Sequence, residues 1–392
     1  MATTELDTLI KISRDFGNKP DAVQGGGGNT SVKTGNGMMY VKASGVLLRA
    51  VDEESFLLVD KNKTIEILMD KSIASLSSQK RDELVAARMT SLVQDDTAKR
   101  PSIETFLHAL LGKYVVHIHP VYANALTCLE NGSQLATNLF KDKINFSWVG
   151  YDSPGYPLGL LVKKSIDNFV VLNATTPDVV FLQNHGIIIS SDNVKNLYVL
   201  YSKLNDELKK YFGDIECFAS QSQKESLLAD QIEILASAFN CIKLKMAFKI
   251  FDSPIIKSVP QSDNLEDIIR SGALYPDQVV YCGETPLFIN PESGCEEITS
   301  SLKQYIDIYG YPPKVIYFKE LGIVLAGTNS CELDAAEEVL EAHIKVLLLI
   351  KKEGKPSFLS DIQSSYIAHW ESEKYRRKLM VNQTDNLDRY LS

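Results

Sequence analysis

Hydrophobic and polar positions alternate along this chain in two rhythms. Helical spacing of apolar residues over 4–16 predicts an amphipathic helix, and period-two alternation predicts short strands near 29–33, 38–43 and 55–60. A longer helical pattern covers 78–94. A dense stretch follows: a helix opening at RPSIETFLHALLG, a strand YVVHIHP, a helix VYANALTCLENG, a strand NFSWVGY, a helix from Leu158 to Asn168, and strands DVVFLQ and GIIIS. Two long helices, near 192–213 and 221–250, close this unit. The segment FDSPIIKSVPQSDN, rich in Ser, Asp and Pro, reads as a break, so the expected units are 1–250 and 251–392. Beyond the break the pattern restarts on a smaller scale. A helix near 264–272 leads to DQVVYCG, a helix near 295–309, the strand pair KVIYF and GIVLAG, a long helix 331–353, and a last helix carrying SSYIAHWESEKYRRKL. The expected fold is α/β, a larger N-terminal and a smaller C-terminal α/β domain, without short-period repeats.

Composition narrows the classes of function. Apolar residues at 44% and charged residues at 23% are the profile of a globular protein with a sizeable core. A formal charge of -9 disfavours broad attraction to nucleic acid or an anionic membrane, and the densest basic run, Lys374 to Lys378, lies among acidic residues. No nucleic-acid or membrane partner is expected. The N-terminal residues carry charges every few positions, unlike a signal peptide, and no window approaches the length of a membrane span. Six cysteines scattered without CxxC spacing argue for reduced thiols and a cytoplasmic location.

The chemistry gathers in the first unit. Of six histidines, His108, His117, His119 and His185 fall in one span with Glu104. In VVHIHP, residues two apart on a strand point to the same face, so His117 and His119 can reach one ion together. Alone, a His-x-His pair on a strand is more often a polar face or an edge pair than a metal site. A third histidine in QNHGIIIS, with Gly186 allowing close backbone approach, changes that reading. Three imidazoles with one open position form the ligand set of a catalytic zinc, and Glu104 is the natural carboxylate to complete it. Ser102 can cap the helix that carries Glu104 in its first turn, where an acidic residue is also expected for helix stability alone. His108, four residues on, reads as a supporting or packing residue.

The run GGGGNTSVK adds a possible cradle. Glycines up to Gly28 can turn N–H groups inward as an anion nest, with Asn29, Thr30 and Ser31 as side-chain donors. The segment VKASG brings Lys42, Ser44 and Gly45 on a facing strand, so a phosphate or an array of sugar hydroxyls can sit between the two. The pattern is neither a P-loop nor a dinucleotide fingerprint.

Taken in order, GGGGNTSVK, VKASG, RPSIETFLHALL, VVHIHP, YDSPGYPLG and LQNHG resemble the class II aldolase/adducin family over roughly residues 5–240. SGALYPDQVVYCGETPLFI and YIAHWESEKYRRKL extend the resemblance to the aldolase half of bifunctional rhamnulose-phosphate aldolase/dehydrogenase proteins. The dehydrogenase half is absent from the chain, so hydride transfer is not expected. The resemblance implies a layered α/β/α N-terminal domain around a mostly antiparallel sheet. It also implies a zinc-dependent aldolase, or one using another divalent transition metal, that cleaves a ketose 1-phosphate such as a rhamnulose or fuculose phosphate. Dihydroxyacetone phosphate and an aldehyde are the products, formed through an enediolate.

Carried over residue by residue, His117, His119 and His185 match the metal-binding histidines. Glu104 matches the catalytic glutamate, which in the family also ligates the resting metal. Asn29, Ser44 and Gly45 match positions lining the phosphate pocket, and Gly28, Thr30, Lys42 and Ser102 complete the expected substrate-binding set. Tyr151, or alternatively Tyr156, stands near the tyrosine that serves the departing aldehyde oxygen. Two departures from the fuculose-phosphate enzymes, Gly26 for Thr and Ile103 for Ser, each remove a hydroxyl that faces phosphate there. Two alternatives remain: a sugar-phosphate 4-epimerase on the same metal site, whose relatives carry Asp where this chain has Glu104, and a non-catalytic adducin-like module, whose relatives lack the histidines. The family's site often lies between subunits of a four-fold tetramer, so a homo-oligomer is expected. Glu371, Glu373 and Arg376, near Trp370, are candidates to close over a neighbouring site.

Overall fold

A computed structural model of the chain describes residues 4–94, 97, 99–215, 225–259 and 264–370. The first sheet holds seven strands: β1 (Asn29–Lys33), β2 (Met38–Lys42), β3 (Phe56–Asp60), β4 (Tyr114–Ile118), β5 (Phe146–Val149), β6 (Val179–Leu182) and β7 (Gly186–Ser191). A second sheet holds four: β8 (Ala247–Ile250), β9 (Leu287–Ile289), β10 (Val315–Phe318) and β11 (Gly322–Gly327). The strand orders are β3-β2-β1-β4-β7-β6-β5 and β8-β11-β10-β9. In the first sheet only β5 and β6 pair in parallel, joined by the crossover helix Tyr156–Asn173, so the sheet is mostly antiparallel as the resemblance implies.

The centre of this sheet creates the site. All five residues of β4 are buried, which is why this strand reads as an apolar run rather than an alternation. β4 pairs antiparallel with β1, placing Asn29 opposite His117, and with β7, placing Ile118 opposite Ile187. Antiparallel pairing brings the end of β4 beside the beginnings of β1 and β7. The glycine run, the His-x-His segment and the QNHG turn therefore meet at one edge. Helix Glu5–Gly17, closed by a reciprocal cap between Thr4 and Asp7, packs on β1.

Several elements differ from their expected extents. The helix expected over 221–250 is Glu225–Cys241, and residues 247–250 instead form an edge strand of the second sheet. Helix Glu225–Cys241 packs on helix Cys295–Tyr309. The helix expected over 78–94 ends at Thr90. DQVVYCG lies in a helix, Pro276–Cys282, which proline initiates without loss of a needed N–H. The last helix is Asp361–His369; Glu371, Glu373, Arg376 and the Lys374–Lys378 run lie outside the described residues.

The second sheet repeats part of the first. β9, helix Cys295–Tyr309, parallel β10, antiparallel β11 and helix Ser330–Glu353 follow the same path as β5, helix Tyr156–Asn173, β6, β7 and helix Val194–Phe212. The segment PDVVFLQNHGIIISSDN at 177–193 corresponds to PKVIYFKELGIVLAGTN at 313–329. Both hairpins turn through a left-handed residue, Asn184 (φ 52°) and Glu320 (φ 62°). Asn193 and Asn329 cap the helices that follow. Leu321 stands where the first copy has His185.

Candidate metal and substrate site

His117 is the penultimate residue of β4 and His119 follows its end, so both rings leave on one side of the strand. His119 Nε2 lies 3.1 Å from His117 Nε2, which lies 3.3 Å from His185 Nε2. Ligand atoms of the three histidines all fall within 4.8 Å of one another, and all three residues are buried. Gly186 makes the cluster possible: a Cβ there would stand 2.6 Å from His119 Cδ2. Glu104 reaches in from the opposite side, 3.1 Å from His185 Nε2 and 3.6 Å from His117 Nε2. Its helix is shorter than expected, Thr105–Ala109, so Glu104 sits at the cap position rather than in the first turn.

For two of the rings the far side fixes the tautomer. His117 Nδ1–H donates to the Ile187 carbonyl at 2.9 Å, and His119 Nδ1–H donates to the Asp277 carboxylate at 2.5 Å. Both Nε2 lone pairs therefore face the common centre. His185 Nδ1 is buried without a hydrogen-bond partner among the described residues. Converging lone pairs repel unless a cation lies between them. Spacings of 3.1 and 3.3 Å between Nε2 atoms are close to the roughly 3.4 Å expected of two nitrogens bound at about 2.1 Å and a tetrahedral angle. The donor set, three imidazoles and a carboxylate, fits a divalent transition metal.

Burial pushes the Glu104 carboxyl up, but the adjoining His117 and His185 imidazoles outweigh it and hold its pKa well below the usual range. Burial lowers the His185 pKa against the pull of Glu104. His108 is not part of the cluster. Its Nδ1 meets Ser31 Oγ at 3.0 Å, and burial, with His117 and Lys33 nearby, keeps its pKa well below the ordinary value.

The cavity beside the cluster is lined by Gly28, Asn29, Lys42, Ser44, Gly45 and Ser102, together with Glu104, His119 and His185. Thr30 of the expected set is elsewhere: it lies on the other face of β1, its hydroxyl 2.7 Å from Ser13 Oγ. The tyrosines also differ from expectation. Tyr151 does not line the cavity; its hydroxyl is buried without a hydrogen-bond partner among the described residues, and burial together with Asp152 raises its pKa. Tyr156 Oη donates to the Asp70 carbonyl at 3.2 Å. Pro154 is the residue of that loop that lines the cavity.

The glycine run also differs from a bare anion nest. Gly25 N–H donates to Glu338 Oε2 at 2.8 Å, Gly26 N–H to Tyr281 Oη at 2.9 Å, and Gly27 N–H to the Gln24 carbonyl at 3.0 Å. These three donors are engaged within the chain, and two of the acceptors come from beyond residue 276. The same distal region closes the cavity with Asp277, Val280, Ile367 and Trp370. Trp370 Nε1–H and Tyr366 Oη–H both donate to Asp82 Oδ2, at 3.2 and 2.5 Å, so the last described helix is fastened to helix Ser78–Thr90. These wall residues fall in the two distal segments that extend the resemblance, but neither segment by its local pattern assigns them to the cavity. Asp277 has the pattern of any acidic residue in a first helical turn, and Trp370 that of an amphipathic helix end.

The sequence profile of the Class II Aldolase and Adducin N-terminal domain matches residues 7–212. An uncharacterized oxidoreductase, YuxG, of Bacillus subtilis (strain 168) is 25% identical over 95% of this chain; the chain spans 58% of that protein's length. Among solved structures, the N-terminal class II aldolase domain of a conserved protein from Thermoplasma acidophilum is similar at 25% identity and TM-score 0.45, covering 54% of this chain and 95% of that one. An L-fuculose 1-phosphate aldolase is similar at 18% identity and TM-score 0.36, covering 59% and 98%. No helix among the described residues is long and apolar enough to cross a membrane.

Proposed function

Since more than half of its length matches that profile, the chain belongs to the class II aldolase and adducin family, and we propose that it is a metal-dependent aldolase cleaving a ketose 1-phosphate to dihydroxyacetone phosphate and an aldehyde. The observation that carries this reading is the cluster of three imidazoles and the Glu104 carboxylate beside a cavity that Asn29, Lys42, Ser44 and Ser102 also line. The histidine set argues against a non-catalytic module.

Retro-aldol cleavage breaks one carbon–carbon bond. The proton of the hydroxyl beyond that bond leaves, the aldehyde forms, and the bonding pair stays on the ketose 1-phosphate fragment as an enediolate, which takes up a proton to give dihydroxyacetone phosphate. His117, His119 and His185 would hold a divalent cation, which would supply positive charge for the developing negative charge of the cleavage. Glu104, its pKa held down beside the cluster, is the base that can take the leaving hydroxyl proton and then, protonated, give a proton to the enediolate carbon, so that the step balances. Lys42, whose ammonium also donates to the Ala43 and Val46 carbonyls, and Asn29, Ser44 and Ser102 line the same cavity and would complement an anionic phosphate there.

The test is release of dihydroxyacetone phosphate from a panel of ketose 1-phosphates, fuculose and rhamnulose phosphates included, with and without a chelator. Cleavage abolished by chelator and restored by zinc or another divalent ion is the expected result. Metal-replete protein that releases no dihydroxyacetone phosphate from the panel overturns the assignment, and inversion of a substrate hydroxyl without cleavage makes it an epimerase.

A further inference from the structure

We propose that Asp277 is a positioning residue of the metal centre: delivered by the distal helix Pro276–Cys282, it sets the tautomer and orientation of His119. The inference rests on the metal-centre part of the functional reading above. Asp277 and His119 are 158 residues apart in sequence, yet both are buried, 7% and 6% exposed, and Asp277 Oδ2 lies 2.5 Å from His119 Nδ1. A carboxylate accepting Nδ1–H leaves the Nε2 lone pair toward the other two rings and raises its basicity as a ligand.

The seat of the helix supports the assignment. A Cβ at Gly27 would stand 2.8 Å from Asp277 Oδ2, and one at Gly26 would stand 2.4 Å from Tyr281 Oη. Two consecutive glycines are thus the space in which this helix docks, with the Gly26 N–H to Tyr281 bond fixing it. The turn carrying His185 is held by the same region. Asn184 Nδ2 donates to the Leu274 and Ser357 carbonyls at 2.8 and 2.5 Å. The distal region therefore touches both segments that carry the histidines, and Asp277 contacts a ligand ring directly.

The experiment measures metal binding by the full chain without sugar. Zn2+ affinity is determined by competition with a chelator, and Co2+-loaded protein is examined for its visible absorption. Asp277→Ala is expected to weaken metal binding by about 10- to 100-fold and to shift the Co2+ bands. Asp277→Asn, whose amide oxygen still accepts from Nδ1–H, is expected to lose less affinity, which a purely structural lesion would not produce. Should Asp277→Ala fail to fold, the isosteric Asn variant carries the test, with an expected loss of up to about tenfold. Folded variants with wild-type affinity and an unchanged Co2+ spectrum overturn the inference. A wild-type chain that takes up no metal overturns the functional reading instead, so the two failures are distinguishable.

Discussion

The Glu104 carboxylate is buried against His117 and His185, and its interactions with them hold its pKa down against the penalty of burial. Its oxygens lie 3.1 and 3.6 Å from two Nε2 atoms, yet three imidazoles can hold a cation without it. Glu104→Gln is therefore expected to retain metal, measured as bound ion per chain, while turnover falls on the order of 100- to 10,000-fold, the usual consequence of removing a positioned base. Wild-type turnover in that variant would remove Glu104 from the chemistry. The histidines were legible in the sequence because alternation on a strand places residues two apart on one face, and Glu104 because its motif is local. Asp277 was not legible: its role is created by a contact with a residue 158 positions away, and locally it looks like any acidic residue in a first helical turn. Thr30 shows the converse, since alternation on β1 turns it toward Ser13 while its neighbour Asn29 faces the cavity.

Among elements, the glycine run carries two duties that sequence pattern cannot separate. Four glycines are compatible with an anion nest, but what requires glycine at 26 and 27 is the close approach of helix Pro276–Cys282. Gly27→Ala would force a methyl 2.8 Å from Asp277 Oδ2 and 3.0 Å from the Gln24 carbonyl. Its expected effect is a loss of about 1–3 kcal/mol in unfolding free energy, typical of overpacking, together with weaker metal binding. Gly35→Ala is the control: no atom lies within 4 Å of a Cβ there, so a change within about 0.5 kcal/mol is expected. Equal stability of the two variants in urea unfolding would mean that the helix is not seated on the glycines. The restart of the pattern after the break was visible in KVIYF and GIVLAG, but its meaning was not. Only pairing and turn geometry show that Gly322 matches Gly186, and that Leu321 occupies the place of His185. The second hairpin thus keeps the architecture of the first without its ligand.

For the molecule as a whole, the Ser-, Asp- and Pro-rich break reports on local backbone, while faces far apart in sequence decide what packs together. One hydrophobic cluster runs from Leu9 to Ala368, and helix Ser330–Glu353 lies within it, packed on β11 and on helices Val121–Thr127 and Pro276–Cys282. His343 is embedded in that helix, 2% exposed, edge-on to Tyr275 with ring centroids 6.1 Å apart. Burial pushes its pKa down to about 3. The unfolded chain takes up this proton near its ordinary pKa of about 6.5, whereas the folded chain does so only near the depressed value. Between those values the unfolded state binds more protons, so the stabilisation is fully present above the unfolded pKa and is lost as pH falls toward the folded one. His108, also lowered by burial, acts with the same sign. Each such proton adds about 1.4 kcal/mol per pH unit to the slope of stability against pH once the unfolded histidine is charged. His343→Leu keeps an apolar occupant and removes one of these protons. Its unfolding free energy, measured in urea from about pH 5.5 down to about pH 4.5, is therefore expected to decline less steeply than that of the wild type by about 1.4 kcal/mol per unit. Parallel slopes would mean that His343 is not held neutral in the fold.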